Sequence, residues 1–194
     1  MRRLLSIPNL LSLARIVLTP FAVAALVQSG YLRAVVIIAV AGLTDAFDGM
    51  LARRFGWETR FGAILDPIAD KLMLVAVYLG LGLSGLAPAW LVWIVLGRDV
   101  LILAAAGVAM LVAGHRRFPP SGLGKVSTIM QMLTAAVLIA GPAFGSTFLA
   151  VAGGGLVWAA AVATVASGID YGWRGRRLFR EPLTGGAADG STED

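Results

Sequence analysis

The run that decides the fold spans residues 44–72 and reads TDAFDGMLARRFGWETRFGAILDPIADKL. Asp45 and Asp48 follow the apolar run Val35-Val36-Ile37-Ile38-Ala39-Val40, and Asp66 and Asp70 precede Leu72-Met73-Leu74-Val75. Residues three and four apart share one face of a helix, so Asp45 pairs with Asp48 and Asp66 with Asp70. A charged side chain at the centre of a membrane helix costs about 2.5–3.5 kcal/mol on insertion scales. Four carboxylates also repel one another, so something positive has to sit among them.

The rest of the chain supplies the apolar surroundings. Of 194 residues, 58% are hydrophobic and 14% charged, with a mean hydropathy of +0.84. Soluble domains carry about 45–50% apolar and about 25% charged residues. Such a chain cannot clothe itself in a polar surface, which excludes a soluble globule and a disordered chain. The absence of cysteine excludes disulfides, zinc–thiolate sites and thiol catalysis. A crossing helix needs about 20 mostly apolar residues, and six stretches qualify: 7–29, 31–55, 61–83, 88–113, 123–140 and 147–171. The expected fold is an all-α integral membrane protein, a six-transmembrane-helix bundle. Residues 1–181 form its single domain, and 182–194 form a disordered acidic tail. No internal repeat is visible.

Basic residues set the topology. Arg2 and Arg3, then Arg53, Arg54 and Arg60, then Arg116 and Arg117, then Arg174, Arg176, Arg177 and Arg180 all fall on one side, against Arg33 on the other. Both termini are therefore expected in the cytoplasm, in a membrane of the bacterial inner or plasma type. The net charge of +5 reads as this bias and not as nucleic-acid binding. Arg15 interrupts the apolar run that a cleaved signal peptide needs. Trp90, Trp93 and Trp173 read as interfacial anchors, His115 as a lipid-surface residue, and Arg174 to Arg180 as contacts for anionic head groups.

Facing each other across a helix pair, the two Asp pairs form a cup of oxygen ligands. Such ligands suit hard divalent cations, Mg²⁺ or Mn²⁺, and four carboxylates can hold two ions about 4 Å apart, as phosphoryl displacement uses. Gly62, Asp66 and Asp70 recur every fourth residue, so Gly62 leaves a gap beside the carboxylates. Gly49 and Ala52 are small next to Asp48. Arg53 and Arg60 stand at the mouth, able to meet a phosphate. The alternative for the glycines is close helix packing. The alternative for the carboxylates is a proton- or cation-coupled transporter, which usually shows repeats and broken helices.

At these residues the chain resembles the CDP-alcohol phosphatidyltransferase family. Asp45-x2-Asp48-Gly49-x2-Ala52-Arg53-x8-Gly62-x3-Asp66-x3-Asp70 matches that family's signature at every fixed position. The resemblance extends over residues 7–171 and implies a six-helix bundle that works as a homodimer. It implies that Asp45, Asp48, Asp66 and Asp70 hold two divalent cations on the diphosphate of CDP-diacylglycerol. It implies that Asp70 also takes the proton from the acceptor hydroxyl, which then attacks the phosphorus bearing the lipid and releases CMP. Gly49, Ala52, Arg53, Thr59 and Gly62 are implied at the nucleotide, as is the Pro8-Asn9 turn with Ser12, for which helix capping is the competing account.

The segments Ile7-Pro8-Asn9-Leu10-Leu11-Ser12-x2-Arg15 and Gly124-Lys125-Val126-x-Thr128-x2-Gln131 look like the glycerol-type branch. Arg98, Lys125 and Arg15 are the candidates for the acceptor, with Asp99 orienting Arg98. Arg98-Asp99 is followed by no second arginine over 100–107, and Ser127 stands where a lysine is usual in the glycerophosphate enzymes. Fewer cations suit a lipid monoanion better than a small dianion. The acceptor expected is phosphatidylglycerol, giving cardiolipin; the alternative is glycerol 3-phosphate, giving phosphatidylglycerophosphate.

Overall fold

The structure, a computed structural model, describes the backbone of residues 7–55, 62–113 and 122–180, and side chains within 11–44, 66–104 and 122–173. All six elements are helices: α1 (Ile7–Val27), α2 (Tyr31–Phe55), α3 (Gly62–Leu83), α4 (Ala89–Ala113), α5 (Gly122–Phe144) and α6 (Thr147–Arg180). The chain is all-α among the described residues. The tail at 182–194 lies outside them, as do Thr59, Arg60, His115, Arg116 and Arg117.

Four helices match the expected bounds within two residues; two run longer. α5 was expected to stop before Gly141-Pro142 but continues to Phe144 with Pro142 inside it. Proline forfeits a hydrogen bond yet keeps a helical φ, so the real stop comes later. Gly145 adopts a φ of 61°, and the Ser146 N–H returns to the Gly141 carbonyl at 2.9 Å. That is a six-to-one closure on a left-handed residue, which glycine adopts without strain. α1 closes the same way, with Ser29 at φ 58° and the Gly30 N–H on the Ala25 carbonyl at 2.8 Å. α6 was expected to end at residue 171 but runs to Arg180. No proline interrupts it before Pro182, and glycine alone only weakens a helix.

The expectation of six crossings is met in part. Among the described residues, Gly122–Phe144 and Thr147–Trp173 are long and apolar enough to cross a membrane, while Leu11–Val27 and Tyr31–Thr44 are apolar but shorter. Charged residues stand within the apolar runs of α3, at Asp66, Asp70 and Lys71, and of α4, at Arg98 and Asp99.

α1 packs on α2 and most extensively on α3; α5 packs most extensively on α6; α4 leans on α6 and α2 on α5. Leu26, Tyr78, Leu81, Leu91 and Val95 fill the interior. α1 and α3 approach closely because position 80 is glycine. A Cβ there would stand 2.8 Å from Leu26 Cδ1. The surface is apolar, with Trp93, Leu103, Phe148, Val151, Trp158 and Val162 exposed, whereas Ser12, Arg15, Asp99, Ser127, Gln131, Thr134, Thr164 and Ser167 are buried. Polar groups turned inward behind an apolar exterior are the arrangement a bilayer imposes.

Candidate active site

Helical spacing puts Ser12 and Arg15 on one face of α1, and Asp66 and Asp70 on one face of α3. The two faces meet residue for residue. Ser12 Oγ donates to Asp66 Oδ1, and Arg15 Nη1 donates to Asp70 Oδ1 in an ion pair. Both pairings ascend along both chains, so α1 and α3 run parallel. The expectation placed Ser12 at a nucleotide and Arg15 at an acceptor; in the structure each engages a carboxylate of the signature. The Thr19 hydroxyl bonds the Arg15 carbonyl at 2.8 Å, bracing that turn of α1. The Arg15 side chain is 4% exposed and that of Asp70 46%. The cation is held inside, and the carboxylate faces outward from it.

Asp70 and Arg15 form the polar end of a cavity of about 380 Å³ between α1, α2, α3 and α5. The rest of its lining is apolar, including Ile38, Met73, Val77, Met132 and Ile139. Asp45, Asp48, Gly49, Ala52 and Arg53 belong to the C-terminal part of α2, and Gly62 opens α3. Their side chains, and that of Asn9 in α1, lie outside the described residues. No group of three or more acidic, histidine or cysteine residues gathers among the described residues. What is described, two carboxylates on one helix face with oxygen donors only, fits a hard cation and not a soft one.

Arg98 lies inside the bundle, its side chain 8% exposed. Its Nη1 donates to Asp99 Oδ1 at 3.0 Å, its Nη2 to Ser167 Oγ at 3.0 Å and to the Gly124 carbonyl at 3.5 Å. Its guanidinium carbon stands 5.9 Å from the Tyr171 ring centre. Arg98 thus joins α4, α5 and α6. Lys125, the next residue after Gly124, is exposed in the first turn of α5. Below it a polar seam runs between α5 and α6. Gln131 Nε2 donates to Thr164 Oγ1 at 3.0 Å and to Ser127 Oγ at 3.3 Å, and the Tyr78 hydroxyl donates to the Gln131 carbonyl at 3.0 Å. Such bonds hold helices together where the hydrophobic effect does not.

Lys71 was not singled out from the sequence. Its Nζ lies 2.5 Å from Asp99 Oδ1, so Asp99 carries two cations on one oxygen. A signal was present: a lysine in α3 and an aspartate in α4, each within a largely apolar helix, each demand a partner.

A helix-borne carboxylate, Asp70, opening on a mostly apolar cavity of a bundle with an apolar exterior, with Asp66 one turn before it on the same helix face, suits an enzyme that works on lipid head groups. The family model for CDP-alcohol phosphatidyltransferase matches residues 5–171, and the chain belongs to that family. Together with the two helices that are long and apolar enough to cross a membrane among the described residues, this makes it a membrane protein. It is 36% identical to a probable phosphatidylglycerophosphate synthase of Mycobacterium tuberculosis, over 87% of this chain and 81% of that one. It is 33% identical to a probable CMP-forming cardiolipin synthase of Drosophila melanogaster, over 72% of this chain and 48% of that one. To the human CMP-forming cardiolipin synthase it is 30% identical, over 90% of this chain and 63% of that one. The chain thus spans about half the length of the Drosophila relative. Its fold is similar to that of the apo Mycobacterium tuberculosis phosphatidylinositol phosphate synthase, with a TM-score of 0.61 at 23% identity over 96% of this chain and 94% of that one.

Proposed function

We propose that the protein transfers the phosphatidyl group from CDP-diacylglycerol to a glycerol-type hydroxyl, releasing CMP. The observation that carries this reading is Asp70. It is half-exposed, paired with Arg15, and placed at the polar end of an apolar cavity. A donor with a diphosphate head and acyl chains matches those two halves, and the volume is within the range of ligand sites.

Asp45, Asp48, Asp66 and Asp70 would hold two divalent cations, Mg²⁺ or Mn²⁺, which when bound neutralise charge on the diphosphate. Ser12 orients Asp66, and Arg15 orients Asp70. Asp70 takes the proton of the acceptor hydroxyl. The hydroxyl oxygen bonds to the lipid-bearing phosphorus, the bond from that phosphorus to the bridging oxygen breaks, and CMP leaves with that oxygen. Asn9, Gly49, Ala52, Arg53, Thr59 and Gly62 make the nucleotide site. Lys125 meets the acceptor phosphate, with Arg98 holding the start of α5 in place and Arg15 closing the pocket.

The acceptor is proposed to be phosphatidylglycerol, with cardiolipin as product. Among the described residues, Arg15 is the only cation lining the cavity and it is paired with Asp70; Arg98 is spent on internal partners. Among the described residues that leaves Lys125 for the acceptor phosphate, which suits a lipid monoanion held partly by its chains better than a dianion. The likeness to the mycobacterial phosphatidylglycerophosphate synthase favours glycerol 3-phosphate as the second reading. We further propose a homodimer whose helices cross the membrane six times, with residues 1–181 as one catalytic unit, the 182–194 tail outside it, and both termini and the active site at the cytoplasmic face.

The test is an acceptor comparison. Purified protein in liposomes receives CDP-diacylglycerol, Mg²⁺ or Mn²⁺, and either phosphatidylglycerol or glycerol 3-phosphate, with CMP and lipid product both measured. Cardiolipin is the expected product. Phosphatidylglycerophosphate alone would overturn the acceptor assignment. The absence of CMP across a full panel of alcohols would overturn the transfer reaction.

A further inference from the structure

Asp70 and Lys71 are neighbours in sequence and therefore project about 100° apart around α3. Asp70 turns to Arg15 on α1. Lys71 turns to Asp99 on α4, with 2.5 Å between Nζ and Oδ1. α3 is thus pinned by ion pairs of opposite sense on two flanks, at adjacent residues. The α4 anchor is the firmer of the two ends, since Asp99 is 5% exposed and Lys71 33%. The same Oδ1 also accepts from Arg98, whose other bonds reach Ser167 on α6 and the Gly124 carbonyl at the start of α5. One buried carboxylate oxygen therefore ties the helix of Asp70 to the turn that carries Lys125.

We infer that Asp99 is a positioning residue for the transfer reaction: by holding Lys71 it fixes the rotation of α3, and by holding Arg98 it sets Lys125 relative to Asp70. The inference rests on the reaction proposed above. Its physical basis is leverage. A side-chain carboxylate sits about 5 Å from the helix axis, half the diameter of a helix with its side chains, so turning α3 by about 10° moves it by about 1 Å. A misplacement of that size costs about a hundredfold in rate. Stability alone is a weak reason for a buried charge of this kind. Well-packed apolar residues usually hold a bundle as firmly as a buried ion pair does, because the pair must first be desolvated. Two cations on one buried oxygen fix direction, which apolar packing does not.

Asp99→Asn is the first variant. It keeps the shape and the acceptor oxygen, removes the charge, and puts the amide nitrogen on the side where Oδ2 has no hydrogen-bond partner among the described residues. Its kcat for CMP release is expected to fall at least tenfold, with the affinity for CMP within threefold of wild type. Asp99→Glu is expected to recover part of the loss. Lys71→Met, in which the methionine fills the lysine stem and no carboxylate of the signature is altered, is expected to lower kcat similarly. The double variant should be no worse than the more impaired single one. Unchanged kcat in Asp99→Asn, or in Lys71→Met if the asparagine variant does not fold, overturns the inference. So does parallel loss of CMP binding and turnover in a folded protein, which would mark Asp99 as structural only. An arm without turnover separates this from the proposed reaction. The chain has no cysteine, so spin labels at Ile68→Cys and Val100→Cys, both exposed, report the α3–α4 distance directly. Asp99→Asn should shift or broaden that distance distribution even if wild type transfers to none of the alcohols tried. An unchanged distribution would overturn the tether.

Discussion

Arg15 of α1 forms an ion pair with Asp70 of α3, the arginine buried and the carboxylate half-exposed. Three residues before Arg15, Ser12 donates to Asp66, four residues before Asp70. The i,i+3 step on one helix is matched to the i,i+4 step on the other. Two parallel helices thereby hold two carboxylates in a common direction. The positive charge that the acidic run demanded is supplied, for this half of it, by the first helix.

Asp70→Asn should abolish transfer while sparing the donor. A general base contributes about 10²–10⁴-fold, and loss of a carboxylate ligand adds to that, so CMP release is expected to fall by at least about a hundredfold. CMP binding, measured by calorimetry in detergent, should weaken by no more than about tenfold, since three of the four proposed carboxylate ligands remain. Turnover close to wild type would remove Asp70 as the base.

Arg15→Met tests the counter-charge. Hydrogen bonds to charged groups are worth about 1.5–3 kcal/mol, and water at the half-exposed Asp70 offsets part of that. A drop in Tm of a few degrees is expected, with kcat/KM down about tenfold or more. Adding Asp70→Asn to Arg15→Met should return most of the lost Tm, because both members of the pair are then neutral. If the double variant is less stable than Arg15→Met, the pair is not what α1 and α3 rely on.

Ser12→Ala removes one bond to Asp66 and leaves every charge in place. The expected result is a higher Mg²⁺ concentration for half-maximal CMP release, by about fivefold or more for one hydrogen bond to a carboxylate, with Tm nearly unchanged. An unaltered metal requirement would detach Ser12 from the function of Asp66.

Much of this arrangement is legible in the sequence, for a physical reason. Carboxylates inside apolar runs are so unfavourable that their spacing must mean something, and the spacing of Asp66 and Asp70 alone puts them on one face. What the spacing does not contain is which helix answers them. Ser12 and Arg15 stand on a helix more than fifty residues away, and Lys71 finds Asp99 across a gap of 28 positions; pairings at that range are set by tertiary packing. Helix ends divide in the same way. The end of α1 lies near the polar turn Gln28-Ser29-Gly30, whereas the end of α5 depends on the left-handed Gly145 and not on Pro142, the more conspicuous breaker. The apolar cavity between α1, α2, α3 and α5 has no sequence signal, since its lining is spread over four helices among many equivalent aliphatic residues.

Gly80→Val tests whether close packing of α1 on α3 carries the acidic face. A Cβ at position 80 would meet Leu26 Cδ1 at 2.8 Å and Leu26 Cβ at 3.5 Å, and Leu26 is fully buried. Valine adds two further methyl groups to that Cβ. Overpacking of this kind costs about 1–3 kcal/mol, so a lower Tm is expected. The strain has two exits: Leu26 can yield, or α3 can move away from α1 and carry Asp66 and Asp70 off Ser12 and Arg15. Combining Gly80→Val with Leu26→Ala opens the first exit and should restore both Tm and turnover toward wild type. Recovery of Tm without turnover would show that the α1–α3 approach sets more than stability. Recovery of neither would mean that the valine meets atoms other than Leu26, the Val23 backbone being the next neighbour of the added Cβ at 3.6 Å, and that the two helices have no slack at this level.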